Sequence, residues 1–293
     1  MDLRIPKAFL DQKTMPFEVD HVTPGCGAIL HGVDVTDLSG TEISAIQDLL
    51  ACHGVVFIEN QDISPDQQQA FAARFGTLAQ EPFVAAMPDA PYVTRLLKGA
   101  DEQAPNTFGG VWHTDLPFLE TPPAYTILYG VDIPETGGDT LFSNTRLAYE
   151  NLSDTMREIL KGLQGVSTST SYKVGESNTH FSKMENMELK LLGARDEAPS
   201  HAHPLVADHP VSGSSSIYLC PSSTKEIEGL SKAEAAPLLS FLTGYITDPF
   251  FSCRYRWKKG TLAMWDNRVV IHRALSDFLG SRREMHRCIV IAA

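Results

Sequence analysis

The stretch Val111-Trp112-His113-Thr114-Asp115-Leu116-Pro117-Phe118 sets a histidine and a carboxylate two positions apart. In extended chain, residues i and i+2 project to one side, so His113 and Asp115 can grip a single ion while Thr114 points away. His272 follows Trp265-Asp266-Asn267-Arg268-Val269-Val270-Ile271, a run that reads as a strand end, and it can supply a second imidazole. Two imidazoles and one carboxylate form a facial metal triad, which leaves the opposite face open to reactants. A His-x-Asp tripeptide is common, and by itself it reads equally as a hydrogen-bonded surface or core pair. The two parts lie 272 − 113 = 159 residues apart. Only a fold that brings distant strands together can assemble them.

The length, 293 residues, exceeds the usual domain size, yet β sandwiches and barrels run past about 200 residues as one unit. With no repeat, low-complexity tract or linker between composition regimes, residues 1–293 read as a single domain. A formal charge of −12 without any Lys/Arg run argues against nucleic acid or an anionic membrane as partner, so an anionic ligand must be met by local arginines. No apolar run approaches the ~18 residues of a membrane span, and Met1-Asp2-Leu3-Arg4-Ile5-Pro6 lacks the apolar core of a secretory signal. A cytoplasmic protein is expected. The five cysteines (Cys26, Cys52, Cys220, Cys253, Cys288) are odd in number with no Cys-x-x-Cys spacing, which suits reduced packing residues.

Strands are expected at 17–22 and 28–35 around Pro24-Gly25-Cys26-Gly27, then a helix from Gly40 whose Ile43, Ile46, Leu49 and Leu50 keep helical spacing, ended by Gly54. Val55-Val56-Phe57-Ile58 reads as a buried strand. Ser64-Pro65-Asp66 reads as a cap with proline at the first helical position, before a helix over 67–75. Further strands are expected at 124–131, 250–257, 261–265 and 287–291, with helices within 146–163 and over 231–245. Short strands with helices inserted rather than alternating predict a mainly β chain with inserted helices, a double-stranded β-helix or jelly roll. The polar stretch 172–203, with Lys183-Met184-Glu185-Asn186-Met187-Glu188, reads as an active-site lid or a plain surface loop.

Trp112-His113-Thr114-Asp115, Gly137-Gly138-Asp139-Thr140, Trp265-Asp266-Asn267-Arg268 with His272, and Arg282-Arg283-Glu284-Met285-His286-Arg287 occur in that order. Together they resemble the signature of the taurine dioxygenase family, Fe(II)- and 2-oxoglutarate-dependent oxygenases that include phenoxyalkanoate dioxygenases. The resemblance runs from Val33-Asp34-Val35-Thr36 and Gln67-Gln68-Gln69-Ala70-Phe71 to the last strand.

The resemblance implies His113, Asp115 and His272 as iron ligands, leaving room for a bidentate 2-oxo acid and O2. It implies Arg283 as the bidentate partner of the distal carboxylate of 2-oxoglutarate, with Thr140 adding a hydroxyl contact to the same group. Arg287, four residues after Arg283, faces the same side of an extended strand and matches an arginine that holds a substrate anion; the other reading is a core ion pair. Arg282, Arg268 and His286 read as surface or supporting residues.

The pattern departs from the taurine enzymes at Glu81, in Gln80-Glu81-Pro82-Phe83, at Ser223, where a pocket phenylalanine is expected, and at Gly109. These departures point to a larger or differently polar substrate than taurine. Glu81 reads either as a contact for a cationic or hydroxyl group or as an exposed carboxylate without a role.

The implied reaction hydroxylates a C–H bond of a small acid of the sulfonate, sulfate, carboxylate or phenoxy type, with succinate and CO2 as co-products. Where the carbon bears a leaving group, the product collapses to an aldehyde or ketone. Asp115 argues against halogenation, since halogenating relatives lack that carboxylate. Two other readings stay open: a zinc-type metallohydrolase, which uses the same donor types, and a non-catalytic metal-binding jelly roll. The family forms dimers or tetramers, so a homo-oligomer is the corresponding expectation.

Overall fold

Every residue of Val55–Ile58 is buried, and the reason lies in what stands on either side of it. Val55 and Phe57 belong to one apolar cluster, and Val56 and Ile58 to another, so one strand serves two cores through its two-residue period. The computed structural model describes residues 3–10, 14–102, 107–169 and 199–291. Its elements run α1 (Lys7–Leu10), β1 (Glu18–His21), β2 (Ala28–His31), α2 (Gly40–His53), β3 (Val55–Ile58), α3 (Pro65–Ala73), β4 (Thr77–Ala79), β5 (Ala86–Met87), β6 (Ala90–Lys98), β7 (Tyr125–Asp132), β8 (Thr140–Asn144), α4 (Thr145–Glu150), α5 (Asp154–Leu160) and β9 (Gln164–Thr168). There follow β10 (Ser200–Pro204), β11 (Val206–Asp208), β12 (Ser215–Ile217), β13 (Thr224–Ile227), α6 (Lys232–Ile246), β14 (Ser252–Tyr255), β15 (Leu262–Asp266), β16 (Val270–Ala274) and β17 (Arg283–Ile291).

The main sheet orders its strands β1-β2-β3-β15-β7-β17-β6-β5, with β4 also on β17. Among the described residues only β2 and β3 pair in parallel; the other pairs are antiparallel. A second sheet, β14-β8-β16, faces it. Between them lie Phe57, Ala263, Trp265, Leu128 and Met285 from the large sheet and Phe142, Cys253, Tyr255 and Val270 from the small one. This is the jelly roll that the strand pattern predicts.

The outer face of the large sheet presents Val56, Ile58, Ile127, Met264 and Val290 to Ile46, Leu50, Phe71 and Phe75 of the helical side. The outer face of the small sheet is covered by α4 and α6 through Leu147, Leu242, Ile246 and Ile271. Each such aliphatic or aromatic burial is worth about 1.5–3 kcal/mol.

Local signals explain the helix starts. Ser39 and Glu42 exchange hydrogen bonds as a capping box at α2, and Ser64 and Gln67 do the same at α3. Several boundaries differ from the sequence reading. The second strand stops at His31 because Gly32 turns the chain at φ 70°, and residues 249–251 form a 3-10 turn capped by Asp248 before β14 begins. The helical region after Asn144 splits in two at Leu152-Ser153, where Ser153 caps α5. Of the segment read as a lid, residues 172–198 lie outside the described residues, whereas 200–203 belong to β10, paired with β9 rather than irregular. No described helix is long and apolar enough to cross a membrane.

Candidate metal and dicarboxylate site

His113 and His272 meet through their backbones before their side chains. His113 N donates to His272 O (3.0 Å) and His272 N to His113 O (2.7 Å), an isolated antiparallel bridge between the loop after β6 and strand β16. The loop is thus not a full strand as its spacing suggested, but the bridge holds His113 extended where it matters. Leu116, next after Asp115, takes φ 49°, a left-handed conformation costly for a branched side chain, and it turns the buried chain away.

The donor atoms of His113, Asp115 and His272 lie within 4.8 Å of one another, and all three residues are buried. His113 Nε2 stands 3.8 Å from Asp115 Oδ1, and His272 Nε2 4.0 Å from Asp115 Oδ2. His113 Nδ1 donates to Val111 O at 2.7 Å, which leaves the Nε2 lone pair for an ion. Burial pushes both imidazoles toward the neutral form, His272 further than His113. Burial also pulls the Asp115 carboxyl upward, but His272, Arg287, His113 and the Thr126 hydroxyl outweigh it and hold the group below its usual range. Neutral imidazoles and a charged carboxylate are the forms that bind a divalent cation.

Asn267 organises this cluster, a role the sequence alone did not reveal. Its Oδ1 accepts from Trp265 Nε1 (3.1 Å) and Asp115 N (3.3 Å), its Nδ2 donates to Thr126 Oγ1 (2.9 Å), and Thr126 Oγ1 donates to Asp115 Oδ2 (2.7 Å). Thr114 Oγ1 points away from the ion side, donating to Asn267 O at 2.9 Å. Asp266 is wholly buried between His209 (2.8 Å) and Arg268, which fixes the turn between β15 and β16. Thr126 could have been found as the polar residue at an interior position of an otherwise apolar strand.

A second group lies farther along the same interior face. Arg283, Met285, Arg287 and Ile289 alternate inward along β17, so Arg283 and Arg287 share a face as predicted. Arg283 is buried, and its Nε and Nη2 have no hydrogen-bond partner among the described residues. Burial lowers its pKa to about 10, opposed by Asp139. Its guanidinium lies against the rings of Trp257 (6.0 Å) and Phe278 (5.7 Å). Two orphaned N–H groups of a buried guanidinium call for an acceptor with two oxygens, which a carboxylate provides.

Thr140 opens β8, and its Oγ1 accepts from Trp257 Nε1 at 2.9 Å. That bond turns the hydroxyl proton elsewhere, making Thr140 a donor to whatever lies beside it. Gly137 takes φ 79°, and a Cβ there would stand 2.6 Å from Asp277 O, so only glycine lets the turn before Asp139 close.

Glu81 is not the exposed carboxylate that one reading allowed. It is buried and ion-paired with Arg287 Nη2, while its Oε1 accepts from Phe83 N (3.3 Å). Arg287 Nη1 lies 3.6 Å from Asp115 Oδ1, and its guanidinium stacks 5.0 Å from the Phe108 ring. Arg287 therefore belongs to both readings at once, beside the ligand cluster and inside a core ion pair. Ser223 is fully buried, but its contacts run to Cys220, Ser222 and Thr168. It nears the cluster only through Cys220, whose Sγ is 3.8 Å from Thr114 O. Gly109 lies under His113, where a Cβ would stand 3.2 Å from the ring.

Arg268 pairs with Asp266, Arg282 with Asp132 and Glu284, and His286 with Glu284, which fits the supporting roles expected of them.

Comparison with known proteins agrees with this geometry. The family model described as "Taurine catabolism dioxygenase TauD, TfdA family" matches residues 18–289. An alpha-ketoglutarate-dependent sulfate ester dioxygenase of Pseudomonas putida is 32% identical over 281 residues, covering 95% of this chain and 90% of its own. An alpha-ketoglutarate-dependent 2,4-dichlorophenoxyacetate dioxygenase of Cupriavidus pinatubonensis is 31% identical over 268 residues, covering 87% and 90%. The crystal structure of a taurine dioxygenase from Burkholderia xenovorans superposes with a TM-score of 0.78 at 32% identity, covering 94% of this chain and 90% of that one.

Proposed function

The chain belongs to the taurine catabolism dioxygenase TauD, TfdA family, and from that premise we propose that residues 1–293 form one Fe(II)- and 2-oxoglutarate-dependent dioxygenase domain. It hydroxylates a C–H bond of a small organic acid of the sulfonate, sulfate, carboxylate or phenoxy type, and releases succinate and CO2. The observation that carries the proposal is the pairing of a buried His113–Asp115–His272 cluster with the two orphaned N–H groups of Arg283 on one interior face. A hydrolase would need the cluster but not a buried dicarboxylate anchor, and a binding module would need neither the open face nor the anchor. His113, Asp115 and His272 hold the iron, while Arg283 and Thr140 hold the distal carboxylate of 2-oxoglutarate. When bound, the iron and its 2-oxo acid supply the oxidising power from O2. This chain's own work is to bind, orient and exclude water, which is a positioning task with no general base.

Trp257 orients Thr140 for that task, and Asn267 with Thr126 keeps Asp115 aimed at the ion. Arg287 and Glu81 form the substrate side, with Ser223 set behind it against Cys220. The enzyme acts in the cytoplasm, in keeping with the lack of any disulfide among its five cysteines, and it assembles as a homo-oligomer as its family does.

Anaerobic titration with Fe(II) and 2-oxoglutarate tests the reading. A metal-to-ligand absorption band that needs both additions is expected, followed by succinate release when sulfonates, sulfate esters or phenoxy acids are supplied with O2. Activity with zinc that ignores 2-oxoglutarate and O2 would favour the hydrolase.

A further inference from the structure

A cavity of about 490 Å3 opens where α1, β1, the last turns of α2, α4 and the turn after β11 come together. Phe9, Phe17, Val19 and Leu49 give it apolar walls, and His53 and Arg146 supply buried polar groups. Pockets that take small organic molecules run from about 300 to 1,000 Å3, so the space suits one. Its walls are held in place. Arg146 Nη1 donates to Ala51 O (3.1 Å), Asn144 Nδ2 to Cys52 O (2.8 Å) and Gly27 N to His53 O (3.0 Å), which satisfies the carbonyls at the end of α2. At the mouth, Val211 N and Ser212 N donate to His209 Nδ1 (3.3 and 3.2 Å), and His209 is itself fixed by Asp266. The cavity backs onto β15 through Gly54, whose carbonyl accepts from Asp266 N (3.0 Å), yet no described residue that lines it belongs to the His113–Asp115–His272 cluster.

His53 carries an unmet polar atom in this wall. The residue is 4% exposed, and its Nδ1 makes no hydrogen bond among the described residues. Burial keeps the imidazole neutral, so one ring nitrogen donates and the other accepts. A hydroxyl answers either tautomer, because it donates and accepts at once. A carboxylate is poorly matched: Glu150 already balances Arg146 (3.0 Å), and Asp48 adds a carboxylate of its own to the lining. An ammonium has no lone pair for an imidazole N–H and adds a second cation beside Arg146. The wall also favours a flat aromatic frame, since the Phe9 ring stands edge-on to His53 at 6.1 Å and the His21 ring lies 4.5 Å from it. We propose that this cavity is a binding site for a neutral aromatic alcohol, with its ring among Phe9, Phe17, Val19 and Leu49 and its hydroxyl on the His53 imidazole. The site does not depend on the dioxygenase reading above.

Equilibrium dialysis of the full chain at pH 7 tests this with three probes on one frame: 2-naphthol, 2-methylnaphthalene and 2-naphthoate. Wild type is expected to bind 2-naphthol saturably and about tenfold more tightly than 2-naphthoate. His53→Phe keeps a ring but removes the hydrogen-bonding nitrogens. It should weaken 2-naphthol about tenfold, the loss of one hydrogen bond to a buried group, and leave 2-methylnaphthalene within about twofold. Val19→Trp, on the half-buried edge strand β1, fills the cavity and should weaken both neutral probes. Absence of 2-naphthol binding to wild type, or a preference for 2-naphthoate, overturns the proposal. So does a His53→Phe protein that binds 2-naphthol as wild type does, or that loses both neutral probes equally. If His53→Phe does not fold, Val19→Trp decides, and unchanged 2-naphthol binding there would place the probe elsewhere on the molecule and overturn the site.

Discussion

Replacing Asp115 by alanine removes the one carboxylate of the cluster and leaves the backbone bridge between His113 and His272 in place. Asp115→Ala should therefore abolish 2-oxoglutarate turnover while near-native circular dichroism is retained; full turnover would remove Asp115 from the ligand set. Arg283→Gln takes away the fork that meets a carboxylate, an interaction worth about 1.5–3 kcal/mol when charged. The 2-oxoglutarate requirement should rise by about 10–100-fold, more than that for the primary substrate. The reverse order would mean that Arg283 and Arg287 exchange roles. Trp257→Phe keeps the ring beside Arg283 but deletes the donor to Thr140. A smaller rise of about fivefold in the 2-oxoglutarate requirement is expected from one neutral hydrogen bond, with primary-substrate KM unchanged. The buried His113–Asp115–His272 cluster and Arg283 were legible because each is a chemically unusual residue in an ordered motif. The roles of Trp257 and Asn267 were not, since they exist only once the chain after β14 and the β15–β16 turn converge on Thr140 and Asp115.

At the scale of elements, Gly54 shows how one helix end sets a ligand. It ends α2 at φ 79°, and a Cβ there would stand 2.2 Å from Val270 Cγ2, at the start of the strand that bears His272. Gly54→Ala should cost about 1–3 kcal/mol of stability through the positive φ, seen as a lowered Tm. Displacing Val270 should also weaken metal binding, measured by competition with a chelator; an unchanged affinity would show that β16 absorbs the clash. The start of α2, the cap of α3 and the apolar run β3 were readable from local pattern because each depends on residues within a few positions. The long strand β17 was read only in part, because Arg283-Glu284-Met285-His286 looks polar in isolation. Glu284 and Arg287 are buried with partners that arrive from β6 and from residue 81, in the Arg95–Glu284 pair (2.7 Å) and the Glu81–Arg287 pair.

For the molecule as a whole, His53 and Glu284 are among the groups that make stability fall toward acid. Burial lowers the pKa of His53 from 6.5 to about 3, so its contribution is present above 6.5 and is lost as pH falls toward 3, because the unfolded chain binds the proton first. Arg95, with Arg282 and His286, lowers that of Glu284 from 4.5 to about 2, so its contribution is present above 4.5 and is lost as pH falls toward 2. Tm should decline between pH 6.5 and 3, and His53→Asn should flatten the decline between 6.5 and 4.5 while leaving the Glu284 window intact. An unchanged slope in the upper window would assign that decline to other groups.

The sequence by itself determined the class of fold, the helix caps, the buried strands and the residues proposed to meet a metal and a dicarboxylate, since these follow from residue type and short-range period. The tertiary structure alone decided that Glu81 and Arg287, 206 positions apart, share one buried pair, that Trp257 aims Thr140, and that Asn267 braces Asp115. Those are contacts between distant segments, and no local pattern encodes which strand will lie beside which.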